Sequence, residues 1–175
     1  YSTVKQVLLS IAIAQKQKRF SHYDLHSNNI MMKKCSSNLV FLYILDDNNQ
    51  FCVPTRGCYP VIIDFGFSYI GDMNGEPLWQ TLSHTEVGFL SDRFDPIADP
   101  KLFLVTVCDE IYQAKRTKKS RKLKNITKNI YGTLPIDWDS GWDNDTNKCA
   151  TDYVLKKLSK YCKSSEKKLI FVEIL

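Results

Sequence analysis

Two stretches of this sequence carry apolar residues at helical spacing, the first amphipathic and the second apolar on nearly every side, and they decide what the chain can fold into. Val4, Val7, Leu8, Ile11 and Ala14 mark one face of a helix predicted over residues 3–19, and Leu9 and Ile13 widen that face. Leu102, Phe103, Leu104, Val105, Val107 and Ile111 form a second such stretch. It follows Asp99-Pro100, which reads as an N-cap and a first helical residue. A helix without a polar side belongs in the middle of a core. Short strands are predicted between the two: residues 30–33, a hairpin of 39–45 and 51–53 around the four-residue turn Asp46-Asp47-Asn48-Asn49, and a compact buried strand at 61–63. Residues 71–96 have no periodicity, as a long functional loop would. Residues 151–162 read as a final amphipathic helix. The expectation is an α+β fold, mostly helical, in one domain over residues 1–175.

Composition narrows the function classes. The longest apolar run, residues 39–45, is far short of the ~20 residues a membrane helix needs. No basic region precedes the apolar stretch at 4–14, and no small-residue cleavage site follows it. Six cysteines form no CxxC pair, which points to reduced thiols in an intracellular setting, although Cys52 and Cys58 bracket a turn and have the chance to approach one another. The chain begins at Tyr1 and ends on an apolar stretch, and both ends read as cut from a longer protein.

The formal charge of +5 is unevenly placed. Lys115, Arg116, Lys118, Lys119, Arg121, Lys122, Lys124 and Lys128 carry eight positive charges with no acid among them, so the remainder of the chain stands at −3. Nucleic acid and membrane are therefore not expected as partners. The run itself can attract phosphates or an acidic partner, and its plainer reading is a solvated helix end or loop.

The chemistry lies in His22-Tyr23-Asp24-Leu25-His26-Ser27-Asn28-Asn29, a polar loop between the first buried helix and the first strand. Asp24 and Asn29 stand five residues apart, and a later strand delivers Asp64, followed by Phe65 and Gly66. Phosphoryl transfer needs oxygen ligands for a hard divalent cation and a carboxylate to receive the acceptor's proton. Asn29 and Asp64 suit the first task and Asp24 the second. Other readings stand beside this one. His22, Asp24 and His26 spell H-x-D-x-H, a metal-site pattern. Asp24, Asn29 and Asp64 taken singly are ordinary turn or cap residues. His84 reads as a surface residue, Trp138 and Trp142 as loop anchors, and nothing singles out Lys33 or Arg56 as phosphate contacts.

The segment from His22 to Asn29 resembles the protein-kinase catalytic loop H-R-D-x-x-x-x-N, and Asp64-Phe65-Gly66 matches the D-F-G metal-binding motif. The likeness covers residues 1 to about 112 and implies a kinase-like C-terminal lobe with short β-hairpins around the catalytic loop. It implies Asp24 as base with His26 beside it, Asn29 and Asp64 as Mg²⁺ ligands, and Phe65 and Gly66 at the bound ATP. His22 would support the loop from beneath, and Asp99 would hydrogen-bond its backbone. The implied activity is transfer to a protein serine or threonine hydroxyl.

Tyr23 departs from the pattern, replacing the arginine that pairs with a phosphorylated activation loop in many kinases. An activation segment (about 64–96) that needs no phosphorylation is therefore expected. His26 replaces a common lysine and is familiar in haspin-like kinases and in aminoglycoside- or choline-type kinases. An insertion over about 35–59 and the complete D-F-G resemble the haspin-like side, and divergent kinases of large DNA viruses share this flavour. On that likeness the protein would work in the host cytoplasm or the virion. No Gly-rich loop, strand lysine or helix glutamate precedes the catalytic loop, so weak ATP binding is expected of the chain alone. A small-molecule kinase and an inactive pseudokinase or binding module are the alternatives.

Overall fold

A computed structural model describes residues 1–71, 94–113, 117–131 and Leu155. The first predicted helix is α1, Ser2–Lys18. Arg19 ends it in the left-handed conformation (φ 48°), its N–H bonded to the Gln15 carbonyl at 2.9 Å. Lys16 and Lys18 occupy the last turn, where the helix dipole favours cations. The second is α2, Ala98–Gln113. α1 buries Val7, Leu8, Leu9 and Ile11, and α2 buries Leu102, Phe103, Leu104 and Cys108. The two pack on each other through these broad apolar faces. Each such side chain contributes about 1.5–3 kcal/mol on removal from water.

The start of α2 corrects the sequence reading. Asp95, not Asp99, caps the helix: its Oδ1 accepts from the N–H groups of Ile97 (2.7 Å) and Ala98 (3.3 Å). Asp99 lies one residue inside the helix and is released for another task.

Among the described residues four strands make two antiparallel ribbons. β1 (Ile30–Lys34) pairs with β4 (Cys58–Ile62), and β2 (Val40–Asp46) pairs with β3 (Asn49–Pro54) between them in the chain. The hairpin turn is tighter than predicted. Asp46 and Asn49 pair directly, with a register shift after Ile44, so only Asp47 and Asn48 lie outside the ladder. The Asp46 carboxylate fixes this turn by accepting from Asn48 N–H (3.1 Å) and Asn49 Nδ2 (2.8 Å). The strand expected at 61–63 begins earlier and is only half-buried. Its Pro60 sits opposite Met32, which a two-stranded ribbon allows because the missing N–H faces no further strand. Tyr59 of β4 meets Phe41 of β2 edge-on at 5.3 Å and joins the ribbons. Cys52 and Cys58 fall in different ribbons, and both are free thiols.

α1 packs on β2, β3 and β4, while α2 packs on α1 and on α3, Lys118–Tyr131. α3 takes up most of the basic run and buries Leu123, Ile126 and Thr127. Leu155 is helical and buried in the main core; the rest of the predicted helix at 151–162 lies outside the described residues, as do His84, Trp138, Trp142, Lys115 and Arg116. Among the described residues no helix is long and apolar enough to cross a membrane.

Candidate active site

The polar loop is held from below by Asp99. One carboxylate oxygen accepts the His22 N–H (2.8 Å) and the other the Tyr23 N–H (2.9 Å), and the residue is fully buried. Burial pushes the Asp99 carboxyl up to about 7, while the two backbone donors pull it back toward the ionised form. The support is structural as well as electrostatic. Tyr23 adopts φ 64°, a left-handed conformation that costs a bulky residue about 1–3 kcal/mol. The two bonds to Asp99 and the burial of Tyr23 against Ala98, Leu102, Phe67 and Tyr69 hold it there.

His22 ties this loop to the strand that delivers Asp64. Its Nδ1 lies 3.3 Å from the Asp24 N–H and accepts from it, which leaves the proton on Nε2 to be donated to the Ile63 carbonyl at 3.0 Å. Burial lowers its pKa and keeps the ring neutral. Both ring nitrogens are thus engaged by protein groups, which removes His22 from the H-x-D-x-H metal-site reading.

Asn29 and Asp24 form a clamp. The Asn29 amide donates to the Asp24 carbonyl (2.8 Å) and to Asp24 Oδ2 (3.0 Å), and Asn29 is itself buried. With both amide hydrogens directed at Asp24, Asn29 Oδ1 is the atom left to face a cation. His26 lies at the rim, its Nε2 3.5 Å from Asp24 Oδ2. The Asn29 carbonyl accepts the Ile63 N–H at 3.0 Å, so the two motifs are joined one residue before Asp64. Asp64 is exposed and adopts φ 61°, a second strained position within the site. Phe65 leans on His22 (5.2 Å) and Phe20 (6.2 Å) yet remains 55% exposed, and Gly66 is exposed beside Asp64.

Several participants were not legible from the sequence. Thr106 on α2 accepts the Ser27 N–H at 3.1 Å, and Ser27 Oγ donates to Glu110. The signal for Thr106 is weak: a single hydroxyl interrupting an apolar helix. Ser21 ties Tyr69 to Asp95. Its backbone exchanges two bonds with Tyr69 (3.0 and 2.8 Å), and its Oγ donates to the Asp95 carbonyl (2.9 Å) and accepts the Asp95 N–H (3.0 Å). Residues 69 and 95, on either side of the segment 72–93, are thereby fixed to one residue. Tyr23, where a phosphate-binding arginine was missed in the sequence, lies in a buried apolar cluster instead.

A hard cation prefers oxygen ligands. Asn29 and Asp64 offer oxygen, and among the described residues no group of three or more His, Cys, Asp or Glu side chains forms a protein cage. Mg²⁺ is commonly held in this way, by one or two protein oxygens plus substrate phosphates and water.

No family model matches the chain. It is 36% identical over 145 residues to uncharacterized protein 098R of Invertebrate iridescent virus 6, which covers 81% of this chain and 24% of the relative. It is 39% identical over 107 residues to probable kinase 098L of Invertebrate iridescent virus 3, covering 61% of this chain and 19% of the relative. It is 36% identical over 67 residues to the serine/threonine-protein kinase haspin of Bos taurus, covering 38% of this chain and 8% of the relative. The chain spans about a quarter of the length of the first viral relative and less of the other two. Its likeness to named kinases is thus partial and of low identity, and its widest likeness among these three is to a viral protein of no assigned activity.

Proposed function

We propose that this chain carries the catalytic centre of an ATP- and Mg²⁺-dependent phosphotransferase acting on serine or threonine hydroxyls of a protein. The observation that carries this reading is the junction of the two motifs: Asn29 is clamped to Asp24 through its side chain and bonded to Ile63 through its backbone. In this reading one carboxylate would serve an acceptor while an amide oxygen and a second carboxylate would serve a metal. Bound Mg²⁺-ATP would supply the transferable phosphoryl group and the charge neutralisation it needs. Asp24 would receive the hydroxyl proton, with Asn29 fixing its rotamer and His26 at its rim. Asn29 Oδ1 and Asp64 would hold the metal, and Phe65 and Gly66 would flank the nucleotide. The similarity to haspin and to a probable viral kinase supports the same reading.

The test is ATP-dependent phosphate transfer to protein acceptors by the full-length protein and by its Asp24→Asn variant. General-base loss should lower kcat by about 10²- to 10⁴-fold with little change in thermal stability. Equal rates in the two proteins would overturn the assignment of Asp24. No transfer by either, with no nucleotide-dependent rise in Tm, would favour a pseudokinase or binding module.

His26 beside Asp24 also supports a second reading, a kinase of small hydroxylated metabolites, because a histidine at this place in the motif is familiar in aminoglycoside- and choline-type kinases as well as in haspin-like ones. A panel of aminoglycoside, choline-like and peptide acceptors separates the two by which class gives the higher kcat/KM.

A further inference from the structure

From the sequence the basic run reads either as a solvated helix end or loop or as a surface that attracts phosphates or an acidic partner. In the fold it is largely α3, and α3 is locked in rotation. Leu123, Ile126 and Thr127 are buried, and Thr127 accepts a bond from the buried Cys108 thiol of α2 (3.2 Å). Thr117 and Ser120 cap its start reciprocally: Ser120 N–H donates to Thr117 Oγ1 (3.0 Å), and Thr117 N–H to Ser120 Oγ (2.8 Å). Lys118, Arg121, Lys122, Asn125, Lys128 and Asn129 are consequently all exposed. They share about a third of the helix circumference and span about 15 Å of its length.

This arrangement works against the helix that bears it. The first turns carry Lys118, Lys119, Arg121 and Lys122 and no acid, where the helix dipole disfavours cations. Lys118–Lys122 and Lys124–Lys128 are like charges at i,i+4, which repel. A rigid surface that opposes its own local electrostatics is a candidate for function rather than for stability.

We infer that the outward face of α3 is a docking surface for an Asp/Glu-rich segment of the protein substrate. The word substrate rests on the phosphotransferase reading; the docking itself does not. An acidic peptide suits the face better than a nucleic acid does. The rest of the chain is net negative, so an extended phosphate backbone would gain charge only along one short helix and meet repulsion beyond it. A membrane is disfavoured because the apolar side of α3 is already spent on the core.

The test uses the full-length protein and a Lys118→Glu, Arg121→Glu, Lys128→Glu variant. Binding of a fluorescent peptide of alternating Asp, Glu and Ser is measured beside a neutral peptide and single- and double-stranded oligonucleotides. The acidic peptide should bind the parent protein and weaken with salt, and the variant should lose about tenfold or more in affinity. Reversal relieves repulsion, so the variant's Tm should hold or rise; Lys→Gln substitutions at the same positions serve as a second variant with a smaller loss. An acceptor peptide with an acidic tail should show a raised KM and unchanged kcat in the variant. Equal peptide affinity in parent and variant, or tighter binding of either oligonucleotide than of the peptide, would overturn the docking surface. Loss of peptide binding in a protein without transferase activity would keep the docking surface and overturn the phosphotransferase reading.

Discussion

The loop that carries Asp24 and the hairpin β2–β3 are both short polar turns near apolar elements, yet they are stabilised in opposite ways. The hairpin turn is closed by its own residues: Asp46 bonds Asn48 and Asn49, at most three positions away. The loop of Asp24 is closed by residues far along the chain: Asp99 holds His22 and Tyr23, Thr106 holds Ser27, and Ile63 holds Asn29 and His22. Local closure makes a turn that forms anywhere the sequence permits. Remote closure makes a turn whose geometry exists only when the core is assembled, and it can therefore hold a strained position such as Tyr23. The difference teaches where precision is stored: in α2 and at Ile63, not in the loop.

The sharpest way to break that comparison is Asp99→Ala. It leaves two buried N–H groups without an acceptor, each worth about 1–3 kcal/mol, beneath a strained Tyr23. Urea unfolding should show a loss of several kcal/mol, and phosphate transfer should fall with it. A loss below about 1 kcal/mol would mean that the loop keeps its shape without α2.

Titration sharpens the same point with opposed signs. His22 has a lowered pKa in the fold, so its contribution is present above about 6.5 and is lost as pH falls below that value. Asp99 has a raised one, so its contribution is present below about 4 and is lost as pH rises toward about 7. The two slopes oppose each other between those limits. In Asp99→Asn only the His22 slope remains, and stability should climb more steeply with pH up to about 6.5 than in the parent protein. Equal slopes in chemical-denaturation series at pH 5, 6 and 7 would show that Asp99 stays ionised, its two donors outweighing burial.

Thr106→Val is the next smaller change, removing the acceptor for Ser27 N–H while keeping shape. It should cost about 1–2 kcal/mol and lower kcat more than it raises KM, because the loop rather than the acceptor site is disturbed. An unchanged kcat would place Ser27 outside the positioning network.

How much of this was legible in the sequence follows from the same contrast. α1 and α2 were readable because wide burial leaves a local apolar signature; Asp24, Asn29 and Asp64 were singled out by type and order, and the fold bonds Asn29 to Asp24 and to Ile63, the residue before Asp64. The start of α2 was misassigned because Asp99-Pro100 carries a genuine capping signal; only the distant N–H groups of His22 and Tyr23 explain why Asp95 takes the cap instead. Ser21, Thr106 and Glu110 were invisible for a related reason, each having its partner more than forty residues away. The tight turn was missed on a different scale, since it depends on a register shift after Ile44 that alternation alone does not encode.

The smallest effect is expected where closure is local. Asp46→Ala removes the turn's acceptor and the exposed ion pair with Lys16 (2.8 Å), which itself holds Asp46 below the usual carboxylate range together with Asn49. Exposed pairs of this kind contribute little, and water can satisfy the freed N–H of Asn48. The unfolding midpoint should therefore move less than in Thr106→Val, and kcat should not change, since the core bonds of the Asp24 loop do not pass through β2 or β3. A fall in kcat comparable to that of Thr106→Val would erase the contrast and make the hairpin part of the site's support.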